Sequence, residues 1–176
     1  MDILEQIDLV LNEIFDTNIP VKLIAFDRYD RVIYNFKIVD RMYNFIANFK
    51  DSNIGGGFWN IEFGLSDAHS YKSKYGITGE GNSIKVFSAV AKCFGKFVHK
   101  VNPDIICFTA DEKNRVKLYD RFIKLIVKKF PYKISNDKQI NDYILAGSLE
   151  KNYILIKKGV VTIYDEYNKT NRNGIE

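Results

Sequence analysis

Apolar residues recur along this chain at two distinct spacings, and the switches between them mark out its elements. Ile3, Leu4, Ile7, Val10, Leu11 and Ile14 return every three or four positions, which predicts an amphipathic helix over residues 2–16, capped by Asp2 and ended by Asn18 and Pro20. Val21–Phe26 then reads as a strand, Asp27–Asp30 as a polar turn and Val32–Ile38 as the returning arm of a hairpin. Over residues 39–50 the spacing of Ile38, Met42, Phe45, Ile46 and Phe49 fits a helix better than an alternating strand. Gly55, Gly56 and Gly57 interrupt that pattern. Beyond them Trp59, Ile61, Phe63 and Leu65 alternate with Asn60, Glu62 and Gly64, the period of a strand with one apolar face.

A polar, glycine-containing loop follows from Ser66 to Gly81, longer than compact domains usually keep without a functional reason. Ser83–Val101 reads as a strong helix with Phe87, Val90, Phe94, Phe97 and Val101 on one face, stopped by Pro103. Asp104–Ala110 is a short continuous apolar run, as in a buried parallel strand. A second strong helix, capped by Asp111 or Asn114, reaches about Phe130, with Val116, Tyr119, Phe122, Ile123 and Ile126 inside and a row of lysines and arginines mostly opposite. Tyr153–Lys157 and Val160–Asp165 form a hairpin around Lys158 and Gly159, and residues 168–176 are a polar tail. The expectation is a single domain over residues 1–167, of α/β (α+β) class, with a mixed central sheet flanked by helices and an extra helix at the N-terminus.

Composition narrows the class. With 46% hydrophobic, 14% aromatic and 27% charged residues the chain is globular and not intrinsically disordered. Cys93 and Cys107 sit inside apolar runs, so they read as core residues in a reducing compartment. No run approaches a membrane span, and the acidic start lacks a signal peptide's basic region, so a cytoplasmic protein without a membrane partner is expected. Charge is segregated: residues 1–70 carry a net −5, residues 71–138 a net +9 and residues 139–176 are balanced. The basic centre suits phosphate, a polyphosphate cofactor, nucleic acid or simply a solvated helix face.

Phosphate chemistry has one concrete candidate. Gly79 and Gly81 let the backbone of Ile77, Thr78, Gly79, Glu80, Gly81, Asn82 and Ser83 approach a ligand without obstruction by Cβ atoms. The helix that follows offers free N–H groups and the positive end of its dipole, so loop and helix together form a cradle for a pyrophosphate. It is not a P-loop, since no Gly-Lys-Ser/Thr follows. It is not a dinucleotide fingerprint either: position 84 is Ile, and Asp104 opens the next strand instead of closing it. No Gly-x-Ser-x-Gly elbow and no Cys/His cluster is present, and His69 and His99 are isolated, so neither a serine hydrolase nor a metal site is expected.

The run Phe58–Phe130, ordered strand, glycine loop, helix, strand, helix, resembles the core of the GNAT superfamily of N-acetyltransferases. In that superfamily a Gln/Arg-x-x-Gly-x-Gly/Ala motif holds the pyrophosphate of acetyl-coenzyme A. Gly79 and Gly81 fall on its small-residue positions, and Gly76 stands where Gln or Arg is usual. Leu118-Tyr119 matches a Leu-Tyr pair on the following helix, whereas Glu112 and Arg115 replace an Asn and a small residue, and the closing Gly-Phe is missing. Thr78–Asn82, Lys85–Phe87, Phe108–Glu112 and Arg115–Tyr119 look most like a group of phage-encoded GNAT-like proteins of unknown role. The first 50 residues depart from the usual β-α-α-β opening, because a helix comes first.

The resemblance implies acetyl transfer from acetyl-coenzyme A to an amine on a small molecule or a host protein. Tyr119 would then lie near the coenzyme thiol as a general acid. Glu62, on the polar face of the strand before the loop, is placed to act as a general base for the amine, directly or through water. Two other classes stay open. One is a catalytically inactive binding or structural module of the same fold, favoured by the missing motif residues. The other is nucleic-acid binding through the basic helix 113–129, which carries no recognisable binding motif.

Overall fold

The computed structural model describes residues 18–51, 57–66, 83–110, 113–135 and 151–160. Among these residues seven strands and two helices follow in the order β1 (Val21–Phe26), β2 (Arg31–Ile38), β3 (Arg41–Lys50), β4 (Phe58–Leu65), α1 (Ser83–Val101), β5 (Ile105–Ala110), α2 (Lys113–Lys129), β6 (Tyr132–Ile134) and β7 (Lys151–Lys157). The strands form one mixed seven-stranded sheet in the order β1-β2-β3-β4-β5-β7-β6. The fold is therefore α/β, as its alternating periodicities require. Two compact units interleave along the chain: Met1–Asn48 with Ile61–Asn102, and Phe49–Asn60 with Pro103–Glu176. The expected helix over residues 2–16, the loop over 67–82, the second arm of the last hairpin beyond residue 160 and the tail over 168–176 lie outside the described residues.

In the first unit the hairpin forms where the polar turn predicts it. Asp27 accepts the Tyr29 N–H on Oδ1 at 2.8 Å, and the Asp27 and Arg31 main chains close the turn. Val21 pairs with Phe36 and Phe26 with Val32, antiparallel, with an irregularity between Leu23 and Ala25. Residues 39–50 are not helical. They form β3, antiparallel to β2 from the Ile38–Arg41 pair to the Arg31–Asn48 pair. Two physical features hid this. Ile46 and Met42 place apolar side chains on the face opposite Tyr43, Phe45 and Ala47, so the alternation is diluted. The connecting turn is Val39-Asp40, with Val39 at φ 56°, a conformation that glycine adopts readily and a β-branched residue rarely does.

The buried side of this meander is aromatic. Tyr34 meets Phe45 edge-on at 6.3 Å, Phe36 stacks on Tyr43 at 5.4 Å, and Phe45 lies 6.1 Å from Phe97 of α1. From β4, Phe63 meets Phe87 at 5.5 Å, ring edge to face. Helix α1 ends as the sequence implies: Asn102 takes φ 53° and donates its N–H to the Val98 carbonyl at 2.8 Å, and Pro103 cannot continue the helix.

In the second unit β5 is sandwiched by apolar contacts on both faces. Ile105 and Cys107 cluster with Ile154 and Ile156 of β7, while Phe108 meets Phe122 of α2. Strand β6, unforeseen in the sequence because three residues give no period to read, pairs antiparallel with β7. Its Tyr132 is buried and donates its hydroxyl to the Pro103 carbonyl at 2.6 Å, tying β6 to the start of β5.

Candidate functional site

Strands β4 and β5 are neighbours in the sheet although α1 lies between them in sequence, so the chain makes a strand-helix-strand unit here. Helix α1 starts at Ser83, where the glycine-bearing stretch predicts a helix to begin. Among the described residues its first turn holds no acidic residue, which leaves the positive end of the helix dipole without a carboxylate from the helix itself. Ile77, Thr78, Gly79, Glu80, Gly81 and Asn82 themselves lie outside the described residues. His69 and Tyr75 do so as well.

Glu62 sits on β4, half-buried on the face it shares with Asn60, while Trp59, Ile61 and Phe63 are buried on the other. The alternation read from the sequence thus places it correctly, and it belongs to the first unit. Tyr119 belongs to the second. Its side chain is buried in α2, with its ring 6.4 Å from Phe108 of β5 and 6.1 Å from Tyr153 of β7. It is part of an aromatic core, an environment that fits a packed side chain at least as well as an acid at a cleft.

The residue beside it adds something unforeseen. Tyr153 Oη lies 2.7 Å from Asp120 Oδ1 and 3.1 Å from the Val116 carbonyl oxygen, so its one proton goes to the nearer, charged acceptor. The pair fastens β7 to the second turn of α2, next to the buried Tyr119. One signal was available: Asp120 is the single acid in an otherwise basic helix. Burial, the bond to Asp120 and its charge, and Tyr119 all hold the Tyr153 hydroxyl well above its ordinary value of 10.0. Below pH 10 both folded and unfolded chains keep this proton. Above it the unfolded chain ionises first, so stability falls as pH rises. Tyr153→Phe is expected to lose about 1–2 kcal/mol at neutral pH and to flatten the alkaline decline, read by urea unfolding at pH 7 to 11. An unchanged alkaline slope would remove the pair from this role.

Cys93 and Cys107 are buried and unbridged, as their apolar surroundings imply. Burial pushes the Cys93 thiol up to about 12, which leaves it without nucleophilic character at neutral pH. His99 is exposed in the last turn of α1 beside Lys100, where a cation complements the helix dipole. On α2, Lys124, Lys128 and Lys129 are exposed, so at least this part of the basic row faces solvent. Among the described residues no group of three or more His, Cys, Asp and Glu is arranged to hold a metal ion, and no helix is long and apolar enough to cross a membrane. Compared with known proteins, the chain matches no family model, no curated protein and no solved structure.

Proposed function

We propose that the chain is an acyltransferase of the GNAT type, moving an acetyl group from acetyl-coenzyme A to an amine. The observation that carries the reading is the strand-helix-strand unit: β4 and β5 side by side, with α1 opening on an acid-free turn after Gly79 and Gly81. Such a helix start suits the cofactor's diphosphate, held by main-chain N–H groups from Ile77 to Ser83. Acetyl-coenzyme A supplies the thioester acyl group when bound. Glu62 takes the amine's proton, directly or through water, and Tyr119 Oη gives one to the departing sulfur. The hairpin β1–β2, joined by four residues, departs from the β-α-α-β opening of the superfamily.

Calorimetric titration with acetyl-coenzyme A tests the first step. Saturable binding is expected, weakened about tenfold or more by Gly81→Val, since a branched side chain blocks close approach of the backbone. No heat at millimolar ligand overturns the reading. Release of free coenzyme thiol in the presence of an amine panel tests the second step, with Glu62→Gln expected to lower kcat by about a hundredfold.

The burial of Tyr119 against Phe108 and Tyr153 favours one rival, a catalytically inactive module of the same fold that binds a partner or serves a structural role. Coenzyme binding without thiol release, unaffected by Tyr119→Phe, would select it.

A further inference from the structure

Strand β1 stands at one end of the strand order, so among the described residues its outer side has no strand partner. Asp27 and Arg31 exchange N–H···O bonds in both directions at the hairpin's close. Main-chain groups alternate in direction along a strand, so the N–H and C=O of Phe26 turn to the outer side. The side chains at this edge are apolar. Leu23 and Phe26 pair with Tyr34 and Val32, so both lie on the face that α1 covers, yet they remain 39% and 43% exposed. Ile24, at the irregularity in the pairing with β2, is 50% exposed. Helix α1 therefore stops short of the sheet's edge. The charge beside this margin has one sign. Lys92 donates to the Ile19 carbonyl at 2.9 Å, and Lys100 Nζ stands 4.4 Å from the centre of the Phe26 ring. Lys96, one helical turn from each, lies on the same flank of α1 and is exposed, as is Lys22 on β1 itself. Helix α1 contains no acidic residue. Asp27 and Asp30 lie past the strand's end, in the turn, where Asp27 holds the Tyr29 N–H.

Each of these features asks for a different complement, and one kind of partner supplies all three. Outward main-chain groups call for another strand, exposed Leu23, Ile24 and Phe26 for apolar side chains, and Lys22, Lys96 and Lys100 for carboxylates. A lipid surface offers no strand. A second copy of β1 sets the same three lysines against their equivalents, and Lys22 together with the irregular pairing discourages such self-association. The opposite edge of the sheet is no alternative: β6 has three residues and carries the exposed Lys133. We propose that β1 is a docking edge for an extended acidic segment of a partner protein, which joins the sheet as an added strand. Its apolar side chains cover Leu23 and Phe26. Its carboxylates meet Lys96 and Lys100 on the side of α1 and Lys22 on β1. This surface is independent of the acyltransferase reading and uses none of the residues assigned to it.

Hydrogen exchange on the full chain tests the proposal with a blocked octapeptide that repeats Val-Val-Glu-Glu, so that each face of the extended peptide carries both residue types. Saturating peptide is expected to slow exchange over residues 21–26 at least about tenfold. Lys96→Glu with Lys100→Glu should weaken the peptide about tenfold or more while the amides of α1 keep their protection. The same altered chain should gain binding of a Val-Val-Lys-Lys repeat, which the unaltered chain does not bind. No slowing at millimolar peptide overturns the proposal. So does an affinity that the lysine changes leave intact, or slowing that falls on α2 instead of β1. Slowing over residues 21–26 that rises with protein concentration in the absence of peptide also overturns it and assigns the edge to a second copy.

Discussion

Phe108→Ala is expected to cost about 3–5 kcal/mol of unfolding free energy, enough to remove a large part of the stability of an ordinary domain. Phe108 is fully buried in the middle of β5. Its ring meets Phe122 edge-on at 5.9 Å and lies 6.4 Å from Tyr119, so its loss empties the centre of the packing between β5 and α2. The neighbouring Cys107 faces the Ile105, Ile154 and Ile156 cluster on the other side, and β5 pairs with β7 along its whole length. A strand held this firmly cannot shift to close the gap, which places the cost toward the upper end of the range. Phe108→Leu keeps most of the volume and should lose about 1.5 kcal/mol or less. Denaturant unfolding followed by tyrosine and tryptophan fluorescence measures both. A loss below about 1 kcal/mol for the alanine variant would mean that the aromatic cluster is not the keystone of the second unit. The same variant loosens Tyr119, so in the proposed enzyme it should also lower kcat.

Where a single physical term dominated, the sequence was a sufficient guide. The wide apolar face of α1 and the alternation of Trp59, Ile61 and Phe63 each admit one structure, and both form. Asp27–Asp30 carries its own turn chemistry and makes the turn. The failures share a cause: partners distant in sequence decided the outcome. Residues 41–50 are a strand because β2 offers a register partner for each position from Arg41 to Asn48, a pairing that a local period cannot contain. Val39 bears a positive φ because that pairing demands a tight turn, whatever the residue prefers. Strand β6 exists because β7 lies beside it, although β7 begins at Lys151. For the candidate site the division is similar. Local alternation placed Glu62, and helical periodicity put Tyr119 on the buried face of α2. The hold of Asp120 on Tyr153 spans 33 positions and has no local signature beyond an acid in a basic helix. Chemistry that depends on which strand lies next to which helix is set by topology, and topology enters the sequence only through weak, distributed preferences.

Gly57→Ala should be nearly as damaging as the loss of Phe108, for a different reason. Gly57 precedes β4 at φ +78°, a backbone conformation that costs an L-residue about 1–2 kcal/mol. A Cβ placed there would stand 2.5 Å from Phe49 Cζ and 2.6 Å from the Lys50 carbonyl oxygen. The ring can give way only by leaving Trp59, whose ring centre is 5.4 Å away, and the carbonyl belongs to the end of β3 and cannot yield without disturbing that strand. Crowding of this kind adds about 1–3 kcal/mol. Gly159 supplies the control. It has φ +87° and nothing within 4 Å of a Cβ position, so Gly159→Ala bears the backbone penalty without the crowding. The expected outcome in parallel unfolding experiments is a loss of about 2–5 kcal/mol for Gly57→Ala against about 1–2 for Gly159→Ala. Equal losses would show that φ alone made glycine necessary at position 57. A larger loss at Gly57 would show that β3 and β4 approach too closely there for any side chain, and that the packing of Phe49 on Trp59 depends on it.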